Sequence, residues 1–277
     1  MRAYLAEFLS DPRVVPLPRW LWLPVLHGIV LRTRPAKSAH KYAQIWMPEG
    51  SPLAVHTARQ ADLLAAAAGV KVQYAMRYGE PSIGAALARL DDPVIVPLYP
   101  QYAASATQSV IDVLPRGARV IREFHEHPAY IDALAANLRR HWAKQGRGSI
   151  LLMSFHGLPK RMAGNYEAHC RSTAALLAKR LALKEGEWRL TFQSRFGYAR
   201  WLEPYTQATL VELARQGRRW VDVICPGFVA DCLETLEEIG ITAREAFMRA
   251  GGEKLALVAC LNESPEWIAA LRAIAKI

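Results

Sequence analysis

The stretch Ser149-Ile150-Leu151-Leu152-Met153-Ser154-Phe155, which runs straight into His156-Gly157-Leu158-Pro159, decides the fold. Its apolar side chains are nearly continuous instead of alternating, the pattern of a strand covered on both faces in a parallel sheet. Gly157 and Pro159 then end the strand in a turn that holds a histidine at its mouth.

Outward from this strand, short β-rich runs alternate with stretches of helical period. Further strands are expected at Lys71 to Tyr78, Pro93 to Leu98, Arg119 to Phe124, Arg189 to Ser194, Trp220 to Cys225 and Leu255 to Leu261. Between them, Ala58 to Ala68, Ile131 to Lys144, Glu167 to Leu181, Pro204 to Arg215 and Leu233 to Glu238 place apolar residues at i, i+3 and i+4, and Met1 to Leu9 forms an opening helix. Strand, helix, strand in repetition predicts an α/β fold of two Rossmann-like domains, each a parallel sheet flanked by helices, with a cleft between them. The strands divide near His125 to Pro128 into three followed by four. The expected domains are therefore 1–127 and 128–277, with the last helix packing back on the first domain.

Composition narrows the function. The 277 residues are 52% hydrophobic and 22% charged, which excludes a disordered or collagen-like chain. The net charge of +10 comes largely from scattered single arginines, without a long basic run or interleaved aromatics, so no nucleic-acid partner is expected. The four cysteines form no C-x-x-C pair and follow no secretory signal, so reduced thiols in a cytoplasmic protein are expected. Trp20 to Leu31 is apolar over 12 residues and interrupted by Pro24 and His27. That is short of the roughly 20 residues of a spanning helix, so the stretch reads as an amphipathic lip or a buried segment.

Ligands of parallel sheets bind at the carboxyl ends of the strands, which directs attention to two turns. One presents His156, whose imidazole can ligate a metal or take a proton near neutral pH. The other is Cys225 to Glu238, where Glu234 and Glu238 stand four apart on one helix face with Glu237 beside them. Asp231 fits an N-cap with Glu234 at the third helical position, so capping is the plainer reading of that pair. His125-Glu126-His127 could make a surface metal site but reads first as a solvated interdomain linker, and His27, His40, His56, His141 and His169 as ordinary surface or partly buried residues.

Taken in order, these motifs are similar to the ferrochelatase family over nearly the whole chain. The resemblance rests on Tyr4 to Asp11, Gly50 to Leu53, Ala75 to Gly79, Pro97 to Tyr102, Ser154 to Pro159, Gln193 to Gly197, Trp201-Leu202 with Pro204, Cys225 to Glu238, Cys260 to Asn262 and Ser264 to Trp267. It implies a class II chelatase-like fold and insertion of Fe2+ into protoporphyrin IX or coproporphyrin III. It also implies metal contact at His156 and Glu234, a further catalytic acid at Glu238, and porphyrin contacts at Arg77, Tyr102 and Trp201. Which of His156 and Glu234 delivers metal and which takes protons is left open.

Family members often open with a strand and an Asn-x-Gly-x-Pro-like loop, whereas this chain starts beyond that point, so a sheet short of one strand is expected. No cysteine-bearing tail follows, so no iron–sulfur cluster is expected. A peripheral membrane contact through the apolar lip is a further expectation, and a monomer is the simplest assembly. The competing readings are a chelatase for another tetrapyrrole or metal, and a non-catalytic or truncated tetrapyrrole-binding protein.

Overall fold

The computed structural model describes residues 1–277. Four parallel strands form the main sheet in the order β4-β3-β5-β6, with β3 Leu151–His156, β4 Trp188–Gln193, β5 Trp220–Ile224 and β6 Lys254–Leu257. Along β3 the side chains obey the period of two. Leu151, Met153 and Phe155 join one core with the helices Pro128–Gln145, Tyr166–Arg180 and Pro265–Ala275, while Leu152 joins a second core with Thr206–Arg215 and Arg244–Arg249. Each fully buried apolar side chain contributes about 1.5–3 kcal/mol, so a two-faced strand such as β3 anchors the half that contains it. Asp222 on β5 is fully buried, and its carboxylate accepts hydrogen bonds from Trp142 Nε1 (2.7 Å), Gly148 N (2.8 Å) and Trp220 Nε1 (3.1 Å), which replace the water it has lost.

The sheet of the first half is smaller than expected. Val94–Ile95 (β1) and Arg119–Val120 (β2) pair in parallel, but Lys71 to Tyr78 runs without a ladder. Its one bridge joins Met76 to Ser82 through a 2.8 Å bond from Met76 N to Pro81 O. The expected three strands are thus two. β-rich composition favours an extended backbone, but a strand exists only where a neighbour accepts its amides. The last helix, Pro265–Ala275, packs on Pro128–Gln145 and also on Pro52–Ala68 of the first half. Trp267 of this helix sets its ring 5.9 Å from Phe124 of the first half and 6.2 Å from Tyr130 of Pro128–Gln145.

The helices Arg2–Ser10 and Arg19–Val25, a π-turn at Leu26–Val30 and the helix Leu31–Ala43 share a small core of Leu5, Leu9, Leu26 and Leu31. In the same layer Trp20, Leu21, Val25 and Ile29 expose 76%, 50%, 41% and 61% of their surface, a concentration of exposed apolar side chains of the kind that marks an interaction site. Of the two alternatives for this stretch, the exposure of these side chains fits the amphipathic one and not the buried one. No helix is long and apolar enough to cross a membrane.

Three further expectations are corrected here. Leu233 to Glu238 belongs to a π-helix, Leu233–Ala243, with Cys232 as its N-cap; Thr235 Oγ1 accepts from Cys232 N at 3.0 Å. Asp231 lies one residue earlier and instead receives Asn262 Nδ2 (2.7 Å) and Thr235 Oγ1 (2.9 Å), joining the turns after β5 and β6. Because i→i+5 winding swings the i+3 position aside, Glu237 leaves the face of Glu234 and Glu238 and is buried against Lys41 and Thr242, each at 2.9 Å. His125 is buried, not solvated: its ring stacks on that of His169 with centroids 3.8 Å apart.

The lip layer is fastened to the rest by Asp11. Its carboxylate accepts Ser109 Oγ (2.5 Å), Arg13 N (2.7 Å), Tyr78 OH (2.8 Å) and Arg77 Nη2 (2.8 Å). Burial alone would raise the pKa of Asp11, but the bonds from Ser109, Arg13 and Tyr78 and the charge of Arg77 outweigh it and hold the group below the ordinary carboxylate value. Between the two values the unfolded chain binds the extra proton, so this stabilisation is complete above about pH 4 and is lost as pH falls through the native value. Asp11→Ala should cost roughly 3 kcal/mol near neutral pH by urea denaturation, with the gap from wild type closing below about pH 4.

Candidate active site

His156 is the last residue of β3 and stands in register with Gln193, the last residue of β4. Its ring Nδ1 lies 2.6 Å from the carbonyl of Gly157. A carbonyl can only accept, so Nδ1 carries the hydrogen and Nε2 keeps its lone pair, the arrangement that presets a histidine for a metal or a proton. Gly157 is required by close approach. A β-carbon there would lie 2.6 Å from the Gln193 carbonyl and 3.3 Å from Trp201. Tyr166 OH donates to the His156 carbonyl at 2.9 Å, and the Phe228 ring lies 6.3 Å from the imidazole.

Gln193 ties this strand end to the π-helix. Its Nε2 donates to the Glu234 carbonyl at 2.6 Å, and its Oε1 accepts Ser154 Oγ at 2.6 Å. Ser154 continues to Thr206 Oγ1 (2.7 Å), which donates to Thr191 Oγ1 (2.9 Å), so a buried polar chain runs beneath the rim. One residue past Gln193, Ser194 has φ +65, and in that left-handed conformation its N and Oγ both reach the Glu238 carboxylate, at 2.5 and 2.6 Å. Glu238 is thereby fixed while Glu234 has its side chain free of such a clamp. His156, Glu234 and Glu238 thus gather at the carboxyl ends of β3, β4 and β5.

Across from Glu234 lies a cluster of tyrosines from the first half. Tyr4 and Tyr99 are closely surrounded by protein yet keep 36% and 38% of their surface open, as residues lining a cleft do. Burial, first, and then the Glu234 charge push the Tyr42 hydroxyl up to about 12. For Tyr4, burial, Tyr42 and Glu234 act in the same direction, so both phenols stay protonated donors. Tyr99 is raised by burial and Glu234 while Arg77 opposes, which places the hydroxyl within the fields of both charges.

The three expected porphyrin contacts are more scattered. Arg77 gives Nη2 to Asp11 and Nε to Ser109 O (2.9 Å) and lies over the Tyr78 ring. Tyr102 OH donates to Gln108 (2.8 Å), with Arg122 over its ring. Trp201 bridges to Pro159 and packs on Gly157, and its buried Nε1 has no partner. Gln193, Ser194, Tyr4, Tyr42 and Tyr99 were not singled out as site residues from sequence. Gln193 stood at the head of a quoted motif, but a buried amide reads like any strand-end Gln, and a left-handed Ser carries no compositional mark.

Solved structures of low sequence identity share this fold. The chain covers 92% of CbiX, the terminal enzyme for biosynthesis of siroheme in denitrifying bacteria, at a TM-score of 0.50 and 19% identity over 86% of its own length. It covers 92% of SirB from Bacillus subtilis, solved with Fe3+, at a TM-score of 0.52 and 15% identity over 82% of its own length. The architecture is that of the class II chelatases.

A family model, Ferrochelatase, matches residues 1–276. The ferrochelatase of Aromatoleum aromaticum is 53% identical over 100% of this chain and 82% of its own length, and that of Bordetella pertussis is 52% identical over 98% and 81%. The chain belongs to the ferrochelatase family. Its reaction is insertion of iron into a porphyrin to form haem.

The Gln193 bridge gives a direct test of how the rim is held. Gln193→Ala should lose about 1–3 kcal/mol of stability, since the Glu234 carbonyl is left without its donor. Steady-state metal insertion should show the lower kcat of a displaced π-helix, with the porphyrin KM little changed.

Proposed function

We propose that the substrate metal is Fe2+ and that it passes between His156 Nε2 and the Glu234 carboxylate, with Glu238 as the next acid along the path. The observation that carries this reading is the 2.6 Å contact of His156 Nδ1 with the Gly157 carbonyl, which leaves Nε2 as the basic atom on the rim shared with the two carboxylates. A free-base porphyrin must release two pyrrole protons as Fe2+ enters, giving haem and two protons in balance. An imidazole lone pair and a carboxylate can accept those protons or pass the ion on. The residues divide the work by fixity: Glu238, clamped by Ser194, offers a stationary charge, while the unclamped Glu234 can move with its cargo.

Trp201, from the loop after β4 and packed against Gly157, Tyr102, and the edge of Arg77 not used by Asp11 and Ser109 are proposed as porphyrin contacts. The two halves, 1–127 and 128–277, act as the jaws. The apolar lip favours the less charged protoporphyrin IX over coproporphyrin III, and a monomer is the simplest working form. A cytoplasmic enzyme that touches the inner membrane at its lip fits Trp20, Leu21, Val25 and Ile29 flanked by the exposed Arg19, Arg32 and Lys37.

Two substitutions test the chemistry. His156→Ala should abolish metal insertion while fluorescence quenching still reports porphyrin binding; turnover near wild type would overturn the assignment. Glu234→Gln should lower the rate by roughly 10²-fold or more. Because Cys232 and Thr235 provide the cap, the melting temperature should stay put; a loss of about 1 kcal/mol with normal turnover would mark Glu234 as structural.

The lip is tested separately by sedimentation with vesicles of anionic and of neutral lipid. Binding to anionic vesicles should be strongest at low salt and should weaken in a Trp20→Ala/Ile29→Ala double variant. Absence of binding at low salt would remove the membrane contact.

A further inference from the structure

A second cluster of ligating side chains lies away from the rim. Beyond β2 the chain leaves the ladder and turns at His125-Glu126, and Glu123 and His125 bring their ligand atoms together there. His169 meets them from the helix Tyr166–Arg180. One ligand atom from each of the three lies within 4.8 Å of the others. The His125 and His169 rings are stacked 9° from parallel, and Glu123 Oε2 is 3.4 Å from His169 Nδ1. Nδ1 of both histidines is buried without a hydrogen-bond partner, an arrangement that costs about 1–3 kcal/mol for each group unless something else satisfies it.

The charge around the cluster suits a cation. Glu123 pairs only with His169, and Glu126 pairs only with His125 and accepts Ser172 Oγ. The nearest arginines in sequence are engaged elsewhere, Arg122 over Tyr102 and Arg171 with Glu167.

We propose that Glu123, His125 and His169 form a second metal site, distinct from the rim at His156, that takes a divalent ion of the zinc or ferrous type. Two imidazoles and one carboxylate are the donor set of open zinc sites and of ferrous facial triads, with the remaining positions left to water. Zinc–nitrogen bonds of about 2.0–2.1 Å require the donors to draw closer and the stacked rings to fan apart. Glu123, with 43% of its side chain exposed, has room to swing inward. Zinc outcompetes ferrous iron for such donors, which makes it the appropriate probe.

An ion here would clamp the segment after β2, at the junction of the two halves, to the helix that starts at Tyr166. That same Tyr166 holds the His156 carbonyl, so the site would brace the catalytic strand end from behind.

The test is titration of chelator-treated full-length protein with Zn2+, and with Co2+ for its visible d–d absorption. The His156→Ala variant should retain one bound equivalent and a tetrahedral cobalt spectrum. The same protein carrying Glu123→Gln and His169→Asn should lose both, and its melting temperature should no longer rise with zinc. Circular dichroism in metal-free buffer verifies that this variant folds. Should it not fold, Glu123→Gln alone, on the exposed carboxylate, must weaken zinc binding and shift the cobalt bands. Unchanged stoichiometry and spectrum after Glu123→Gln, or loss of all bound metal with His156→Ala alone, would overturn the proposal.

Discussion

Everything at the rim hangs on the hydrogen bond from the Gln193 side chain to the Glu234 carbonyl. Parallel pairing puts Gln193 beside His156, and the amide then reaches across to the first turn of the π-helix that bears both acids. The position of Glu234 relative to His156 is therefore set by one side chain with two strong polar ends. Gln193 is buried and the bond half-buried, so breaking it costs more than the loss of a bond fully at the surface. Ser154, Thr206 and Thr191 extend the same chain beneath the rim. Apolar packing would have served stability there equally well, but only directed bonds hold a particular atom at a particular place.

The π-helix has a comparable role. A winding of i→i+5 costs some hydrogen-bond quality and is seldom kept without local reason. In this chain it separates three glutamates that stand within five residues. Glu234 and Glu238 remain on the rim, whereas Glu237 turns inward to Lys41 and Thr242 and binds the lip layer to the second half. One helix thereby supplies both charge for the cleft and an anchor for the element that covers it. The anchor joins the Asp11 cluster, so the lip is held at two separated points by buried or half-buried ion pairs while its own apolar core stays small.

Much of the architecture was legible in the chain itself. The seven residues from Ser149 to Phe155 are apolar enough to need cover on both faces, which forces a parallel sheet with helices above and below. The helical periods between strands, and the turn that puts His156 at a strand end, follow from side-chain volume, periodicity and the breaking power of Gly157 and Pro159. Those are local properties, and they carry through to the second half for most elements, although β6 ends four residues early and the π-helix runs five residues beyond Glu238. Lys71 to Tyr78 shows the limit: β-rich composition expresses a preference for extension, and pairing depends on what lies alongside.

Tertiary structure alone decided the rest, because it concerns residues distant in sequence whose meeting has no local signature. An Asp-x-x-Glu spacing looks like a cap, yet Asp231 is drawn away by Asn262 from the turn after β6, and Cys232 takes its place. His125-Glu126-His127 looks like a solvated linker until His169 arrives from a helix 44 positions further on to stack against His125. Tyr4 and Tyr99 stand within family-like motifs and Tyr42 in none, and the three become a cleft wall only when separate elements converge on Glu234. Residue type and spacing determined which groups were available, whereas burial, register and winding determined which of them face one another, since those are set by how the elements pack and not by any one element's own sequence.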